Sequence, residues 1–175
     1  MESPKGIILL GLRGSGKSTV GPLVAGARGV AFVDLDPVTL RHAGGSNVAE
    51  IVDARGWESF RACEREALGQ VLEQPPCVLA LGGGTPTDDG SRELLIAAAS
   101  CGTHRLVYLR AKPETLAARM QTTGDRPSLT GADPFDEISV LFDARDPLYL
   151  ELAHAVVETD GLSLDETVSR VADAV

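Results

Sequence analysis

The 175-residue sequence has few cysteines and no long apolar run. Its apolar runs are too short to span a bilayer, and its first five residues lack the basic and apolar pattern of a signal peptide. The three cysteines, Cys63, Cys77 and Cys101, have the spacing of neither a zinc site nor a redox pair, and we expect them to be small core residues. We therefore expect a cytoplasmic protein with no membrane partner.

The sequence also has too little positive charge for a nucleic-acid-binding surface. Its 16 lysines and arginines face 25 aspartates and glutamates, which gives a formal net charge of −9 at pH 7. Because phosphate-binding faces need a basic excess, this balance argues against a nucleic-acid partner. His42, His104 and His154 show no triad or metal-site spacing, so we expect structural roles for them.

The length and the apolar pattern predict one α/β domain. A chain of 175 residues with 43% hydrophobic and 23% charged residues is ordinary for a single globular domain. Apolar runs alternate with helical patterns, which is typical of a parallel sheet covered by helices. The predicted strands are 6–10, 31–34, 77–81, 105–109 and 155–158. The predicted helices are 17–27, 37–43, 48–54, 58–73, 91–99, 113–120, 135–143 and 164–175.

The most informative stretch is residues 11–19, which follow the first predicted strand and read Gly-Leu-Arg-Gly-Ser-Gly-Lys-Ser-Thr. This stretch fills every fixed place of the phosphate-loop pattern GxxxxGK[ST]. In such a loop the backbone N–H groups surround the phosphates, Lys17 neutralises the β- and γ-phosphates, and Ser18 offers its hydroxyl to Mg²⁺. The loop predicts ATP or GTP with magnesium, against the alternative of a chance glycine-rich turn.

Two carboxylates end the second predicted strand. Asp34 and Asp36 are two residues apart, so in an extended chain both would project from the same side. Beside the phosphate loop, one could hold a magnesium-bound water and the other could engage a substrate hydroxyl, with Asp36 accepting its proton. The alternative for Asp36, which precedes Pro37, is a helix N-cap.

Two further segments are candidates for ligand contact. Arg61 and Glu64 are three residues apart on a predicted helix, where the carboxylate could steer the guanidinium, although such pairs are often solvated surface contacts. Residues 82–84 are three successive glycines after a strand, which suggests a ligand lying against the backbone. A plain loop is the alternative there.

The remaining basic candidates are Arg119, Arg126 and Arg145, each weak by itself. Residues 121–134 are mostly turn-forming, and a loop of this length in a compact domain predicts a mobile lid over the phosphates. Arg126 lies in that segment, where it could stabilise charge on the transferred phosphoryl group. For Trp57 and Tyr149 we expect packing roles.

Together these segments resemble the shikimate kinases, small members of the P-loop superfamily related to the nucleoside monophosphate kinases. The resemblance spans nearly the whole chain and rests on residues 11–21, 33–36, 81–84 and 125–127, on Phe60-Arg61 with Glu64, and on Arg145 before Pro147-Leu148-Tyr149. It implies a three-layer α/β/α P-loop kinase with a five-stranded parallel sheet of order 2-3-1-4-5 and a mobile lid. We accordingly expect one kinase domain over residues 1–175, with a substrate-binding region near 35–64 and the lid near 121–134.

The resemblance also implies an activity: transfer of the γ-phosphoryl group of ATP to the 3-hydroxyl of shikimate, with Mg²⁺, in aromatic amino-acid biosynthesis. We expect a monomer with ATP and shikimate as its ligands. The implied ATP-binding residues are Gly14, Ser15, Gly16, Lys17, Ser18, Thr19, Arg119 over the adenine, and Arg126. The implied substrate-binding residues are Asp36, Arg61, Gly83, Gly84 and Arg145, with Arg61 and Arg145 on the carboxylate and Glu64 orienting Arg61. The implied catalytic residues are Lys17, Asp36 and Arg126, and the implied metal site is Ser18 with Asp34 through water.

Three features depart from the family pattern. Ser128 stands where a second apolar residue is usual in the lid, the segment 44–51 is one residue longer than usual, and Val38-Thr39-Leu40 lacks the customary acidic residue. The phosphate loop and the lid do not choose the acceptor. A kinase for gluconate or another small hydroxy acid therefore stays open as an alternative, as does a nucleotide-sensing module without turnover.

Overall fold

The chain forms a five-stranded parallel sheet covered by helices on both faces. A computed structural model describes residues 5–123 and 134–174. The strands are β1 (Gly6–Leu10), β2 (Phe32–Asp34), β3 (Val78–Ala80), β4 (His104–Arg110) and β5 (Ala155–Glu158). They lie side by side in the order β2-β3-β1-β4-β5, as predicted, and every neighbouring pair is parallel.

The helices follow the predicted positions closely. They are α1 (Lys17–Arg28), α2 (Leu35–Ala43), α3 (Val48–Leu72), α4 (Asp89–Ser100), α5 (Pro113–Thr123), α6 (Pro134–Leu152) and α7 (Leu164–Asp173). Two helices were predicted where α3 lies, and Gly56 breaks α3 between them with non-helical backbone angles, φ 80° and ψ 166°. The 3₁₀ turn Thr85–Thr87 was not predicted.

The side chains of β1 alternate between two buried clusters, one on each face of the sheet. Ile8 and Leu10 join one buried cluster, while Ile7 and Leu9 join another. Because successive side chains of a strand point to opposite faces, each face of the sheet buries its own apolar layer. This arrangement gives the three-layer α/β/α architecture that was predicted.

Helix α6 extends beyond its predicted end at residue 143, and Pro147 lies inside it. A proline removes one helical hydrogen bond, but the turn around it is held from the sheet. Asp146 accepts two hydrogen bonds from Arg110 of β4, at 2.7 and 2.9 Å, and one from Tyr108 at 2.8 Å. The extension carries Arg145, which lies beyond the predicted end of this helix at residue 143.

Two expectations about packing were partly wrong. Cys77 is buried, but Cys63 is half-buried and Cys101 is exposed at the end of α4. Trp57 is 49% exposed, and its ring contacts Phe60 edge-on and Arg61 face-on instead of entering the core. Within the described ranges, no helix combines the length and the apolar character needed to cross a membrane.

Candidate active site

The described residues of the predicted site gather at one edge of the sheet. All five strands are parallel, so their carboxyl ends open at the same edge, where ligands bind in open α/β sheets. The phosphate loop follows β1, Asp34 ends β2, the glycine triplet follows β3 closely, and Thr159 follows β5. Segments far apart in sequence therefore meet around one cleft.

The phosphate loop ends at the N-terminus of α1. Gly16 is the residue before the helix and has a left-handed backbone conformation, φ 96° and ψ 9°, which favours glycine. The first turn of α1 contains no acidic residue, and Gly16 has no side chain that could cap the helix. Its backbone N–H groups and the positive end of the helix dipole are thus suited to an anion.

Lys17 is held inside the loop that it is expected to serve. Its Nζ donates to the carbonyl oxygens of Gly11 at 2.7 Å and Leu12 at 2.9 Å, and to Ser15 Oγ at 3.3 Å. Burial lowers the pKa of Lys17 to about 8, although the nearby carboxylates of Asp36 and Asp34 act in the opposite direction. A polyanion in the loop would stabilise the charged form of this amine.

Ser18 and Asp34 form the pair expected at a magnesium site. Ser18 Oγ donates to Asp34 Oδ2 at 2.9 Å, which brings two oxygen ligands of the kind that Mg²⁺ prefers next to the phosphate loop. Within the described residues, no three histidine, cysteine, aspartate or glutamate side chains are arranged to hold a metal. The pair fits Mg²⁺ that is held mainly by nucleotide phosphates and water.

The expected geometry of the two aspartates was wrong in one respect. Helix α2 begins at Leu35, so Asp36 lies in its first turn and not in extended chain. Asp34 is the N-cap, and its Oδ1 accepts from the Asp36 N–H at 3.1 Å, so the alternative of an Asp36 cap is also wrong. Asp36 nevertheless faces the site: a β-carbon added at Gly82 would lie 2.9 Å from Asp36 Oδ1.

Arg61 and Glu64 belong to a buried network instead of a solvated surface. Glu64 is 1% exposed; it accepts from the guanidinium of Arg61 and from Thr85 Oγ1, the latter at 2.7 Å. Burial raises the pKa of Glu64, while Arg61 and the hydrogen bond from Thr85 oppose that shift. A β-carbon on Gly84 would overlap the guanidinium of Arg61, so a larger residue there would displace the guanidinium from this position.

Arg145 reaches the same glycine loop from α6. A β-carbon added at Gly83 would lie 3.6 Å from Arg145 Nη1 and 3.7 Å from the backbone nitrogen of Arg13 in the phosphate loop. The guanidinium of Arg145 also lies beside the hydroxyl of Tyr149, where its charge acts to lower the pKa of that phenol against the larger effect of burial. Tyr149 is fully buried, as expected of a packing residue, but its hydroxyl also donates to the carbonyl of Gly83.

Arg119 of α5 crosses to the loop that follows β5. Its Nη2 donates to the carbonyl of Thr159 at 3.0 Å, its Nη1 donates to Thr159 Oγ1 at 3.1 Å, and Nη1 lies 3.5 Å from the carbonyl of Gly14. Arg119 thus contacts the loop after β5, whereas Arg61 contacts the loop after β3, and these two strands lie on opposite sides of β1. This position suits the expected contact of Arg119 with a base.

The remaining predicted residues differ in burial and contacts, and some of them lie outside the described residues. Ser15 is buried beside Lys17, and Thr19 is exposed on the first turn of α1. Arg126 and most of the predicted lid lie outside the described residues, while residues 121–123 belong to α5. The three histidines make structural contacts; for example, His154 accepts from the backbone N–H of Leu106 at 3.1 Å.

Comparison with known proteins identifies the family. The sequence model of the family described as Shikimate kinase matches residues 13–175. The chain belongs to the shikimate kinase family. Shikimate kinase 2 of Dickeya chrysanthemi is 41% identical over 155 residues, covering 87% of this chain and 86% of that protein. The shikimate kinase of Rhodopirellula baltica is 37% identical over 175 residues, covering 98% of this chain and 90% of that protein.

Solved structures agree with this assignment. The shikimate kinase of Acinetobacter baumannii in complex with shikimate has a TM-score of 0.85 and 31% identity, covering 97% of this chain and 92% of that one. A gluconokinase of Sinorhizobium meliloti has a TM-score of 0.60 at 21% identity, covering 99% of this chain and 93% of that one. At that identity the gluconokinase shares the fold, and its likeness says nothing of the acceptor.

The lowered pKa of Lys17 predicts that nucleotide binding takes up protons. At pH 8 about half of the Lys17 amines are neutral, and phosphate would restore their charge, so binding of a non-hydrolysable ATP analogue should take up about 0.5 proton from this position. Titration calorimetry at pH 8 in two buffers of different ionisation enthalpy measures this number. Lys17→Arg stays charged at pH 8 and should lose that uptake; equal uptake by both proteins would contradict the prediction.

Proposed function

We propose that this chain transfers the γ-phosphoryl group of ATP to the 3-hydroxyl of shikimate, with Mg²⁺, giving shikimate 3-phosphate and ADP. The observation that carries the proposal is the meeting of Arg61 and Arg145 at successive glycines, Gly84 and Gly83, with Asp36 beside Gly82. Two planar guanidinium groups suit a carboxylate, and the nearby aspartate suits the hydroxyls of the same small molecule.

On the donor side, the phosphate loop holds the β- and γ-phosphates. Gly14, Ser15, Gly16, Ser18 and Thr19 supply N–H groups or a hydroxyl, and Lys17 exchanges its contacts with loop carbonyls for contacts with phosphate. Ser18, with Asp34 through water, would hold Mg²⁺, which would neutralise charge on the phosphates. Arg119 flanks the adenine, and Arg126 completes the charge stabilisation.

On the acceptor side, binding precedes the proton transfer. Arg61, kept in place by Glu64, and Arg145 hold the carboxylate, while Gly83 and Gly84 allow the ring to approach the backbone. Asp36 then binds the hydroxyls and accepts the proton of the 3-hydroxyl as its oxygen bonds to the γ-phosphorus. The bond from that phosphorus to the bridging oxygen of ADP breaks, and the leaving oxygen keeps the electron pair.

Turnover of an acceptor panel tests the proposal. Purified protein with ATP and Mg²⁺ should convert shikimate to its 3-phosphate, detected by mass spectrometry or phosphorus NMR, and should leave gluconate unchanged. Absence of product, while a known shikimate kinase is active in the same assay, would refute the proposal. Faster phosphorylation of gluconate would reassign the acceptor, and nucleotide binding without turnover of any acceptor would favour a sensing module.

We expect the negative charge of the buried Glu64 to strengthen acceptor binding but not to stabilise the fold. Burial raises the pKa of Glu64 in the folded chain. Its contribution to the free energy of unfolding is therefore fully present only below its unfolded pKa, and it is lost as the pH rises through the folded pKa. Glu64→Gln, which mimics the neutral form, should therefore not lower the melting temperature at pH 7. It should raise the KM for shikimate about fivefold, because Arg61 loses a charged partner.

Glu66→Gln is the matched control for this prediction, since Glu66 lies on the same helix with its side chain 70% exposed. It should change neither the KM nor the melting temperature. A clear fall in the melting temperature of Glu64→Gln alone would mean that the ion pair outweighs the cost of burial, contrary to the prediction.

A further inference from the structure

Tyr149 has a polar contact on each side of its hydroxyl, although its ring is packed like a core residue. The side chain is fully buried, and its ring meets that of Tyr108 edge-on with the centroids 5.0 Å apart. The hydroxyl donates to the carbonyl of Gly83, and the guanidinium of Arg145 lies beside it, where its charge acts to lower the pKa of the phenol against the larger effect of burial. Because a guanidinium can only donate, the phenol oxygen is the atom that can accept from Arg145 while its proton goes to Gly83.

This hydroxyl connects two parts of the acceptor site that come from different layers of the fold. Arg145 precedes Tyr149 by four residues, so both side chains lie on one face of α6. Gly83 belongs to the glycine loop after β3 and lies against the phosphate loop: an added β-carbon would be 3.5 Å from the carbonyl of Gly11. The phenol is therefore a direct hydrogen-bonded link between α6 and the glycine loop.

The turn that carries Tyr149 is itself fixed to the sheet. Asp146 is paired with Arg110 at 2.7 Å, and Arg110 also donates to Glu158 of β5 at 2.8 Å. The position of Tyr149 is thus set by β4 and β5. Burial raises the pKa of Tyr149 to about 12, so its hydroxyl keeps its proton and remains a donor at neutral pH.

We propose that Tyr149 is a positioning residue, whose hydroxyl fixes Arg145 against the carbonyl of Gly83 and so sets the place of the guanidinium that holds the acceptor carboxylate. Without this hydroxyl Arg145 keeps its charge but loses its orientation. The inference rests on the proposed function for the identity of the acceptor. It assigns a role in binding to a residue that touches neither substrate in the proposed reaction.

The test compares Tyr149→Phe with Tyr108→Phe. Both changes remove one buried phenol hydroxyl from the same pair of rings, but the Tyr108 hydroxyl donates to Asp146 and not to the glycine loop. Tyr149→Phe should raise the KM for shikimate about five- to tenfold, the effect of one lost hydrogen bond. It should leave the KM for ATP within about twofold. Tyr108→Phe should leave both constants within about twofold, because Arg110 still holds Asp146 through two hydrogen bonds.

A double-mutant cycle separates positioning from a general structural effect. In an Arg145→Ala background, Tyr149→Phe should have no further effect on the KM for shikimate, because the group that it positions is gone. Additive effects, an equal rise in both KM values, or equal behaviour of Tyr149→Phe and Tyr108→Phe would overturn the proposal.

A second measurement does not depend on turnover. Amide hydrogen exchange in the protein without substrates should be faster over residues 81–87 in Tyr149→Phe than in wild type or Tyr108→Phe. Unchanged exchange there would overturn the proposal whatever the acceptor is. Failure of the wild-type protein to phosphorylate shikimate would refute the proposed function alone, and the exchange comparison would still decide the role of Tyr149.

Discussion

Asp36→Asn should lower kcat for shikimate about 10²- to 10⁴-fold, the range expected for loss of a general base. An amide keeps the size of the carboxylate and can still hydrogen-bond to a hydroxyl, but it cannot take up the proton as the new bond to phosphorus forms. Affinity for ATP should not fall, because the change removes a negative charge close to Lys17. Steady-state kinetics and calorimetric binding of an ATP analogue measure the two effects.

The control for this prediction is Asp53→Asn, which removes a carboxylate from the exposed surface of α3. Its kcat and its ATP affinity should match the wild type. If Asp36→Asn kept kcat within about tenfold of wild type, proton acceptance by Asp36 would be excluded. A change confined to the KM for shikimate would leave Asp36 as a binding group for the hydroxyls only.

The donor half of the site could be predicted from the sequence because its determinants are local. Residues 11–19 carry the glycines, Lys17 and Ser18 in one uninterrupted stretch, directly between a strand and a helix. The strand order follows from the resemblance, and the parallel sheet from the alternation of apolar runs with helical patterns. These features depend little on which distant residues meet.

The two aspartates mark a limit of local prediction. In Asp34-Leu35-Asp36-Pro37 either carboxylate could cap a helix, and the propensities do not distinguish them. Asp34 is the residue that caps the helix, and its side chain accepts from the Asp36 N–H. The strand therefore ends at Asp34, whereas the predicted geometry needs an extended chain as far as Asp36. Contacts with Ser18 and with the glycine loop bring Asp34 and Asp36 to the site all the same.

The role of Tyr149 could not be predicted because it depends on a contact between positions 66 residues apart. The local signal was present: Arg145 and Tyr149 have the spacing of neighbours on one helix face. The predicted helix, however, ends at residue 143, before both of them. Asp146 is paired with Arg110 of β4, and this pair stabilises the helix on either side of the proline. The pairing cannot be predicted from the local sequence.

Removal of Arg145 should have the largest effect on acceptor binding. Hydrogen bonds to a charged group contribute about 1.5–3 kcal/mol each, so Arg145→Ala should raise the KM for shikimate about 10- to 150-fold. The KM for ATP should stay within about threefold, because Lys17 and the amides of the phosphate loop do not depend on this side chain. Initial rates over a grid of both substrate concentrations give the two constants together.

Two comparisons make the Arg145 prediction specific. Arg170→Ala removes an equal charge from the exposed face of α7 and should change neither KM, which controls for the net charge of the protein. A shikimate analogue whose carboxylate is replaced by a neutral amide should bind weakly to wild type and equally weakly to Arg145→Ala, because the guanidinium has no anion to hold. Equal rises in both KM values would place Arg145 in the general architecture of the cleft. A selective rise for shikimate that disappears with the amide analogue would identify the carboxylate as the group that Arg145 binds.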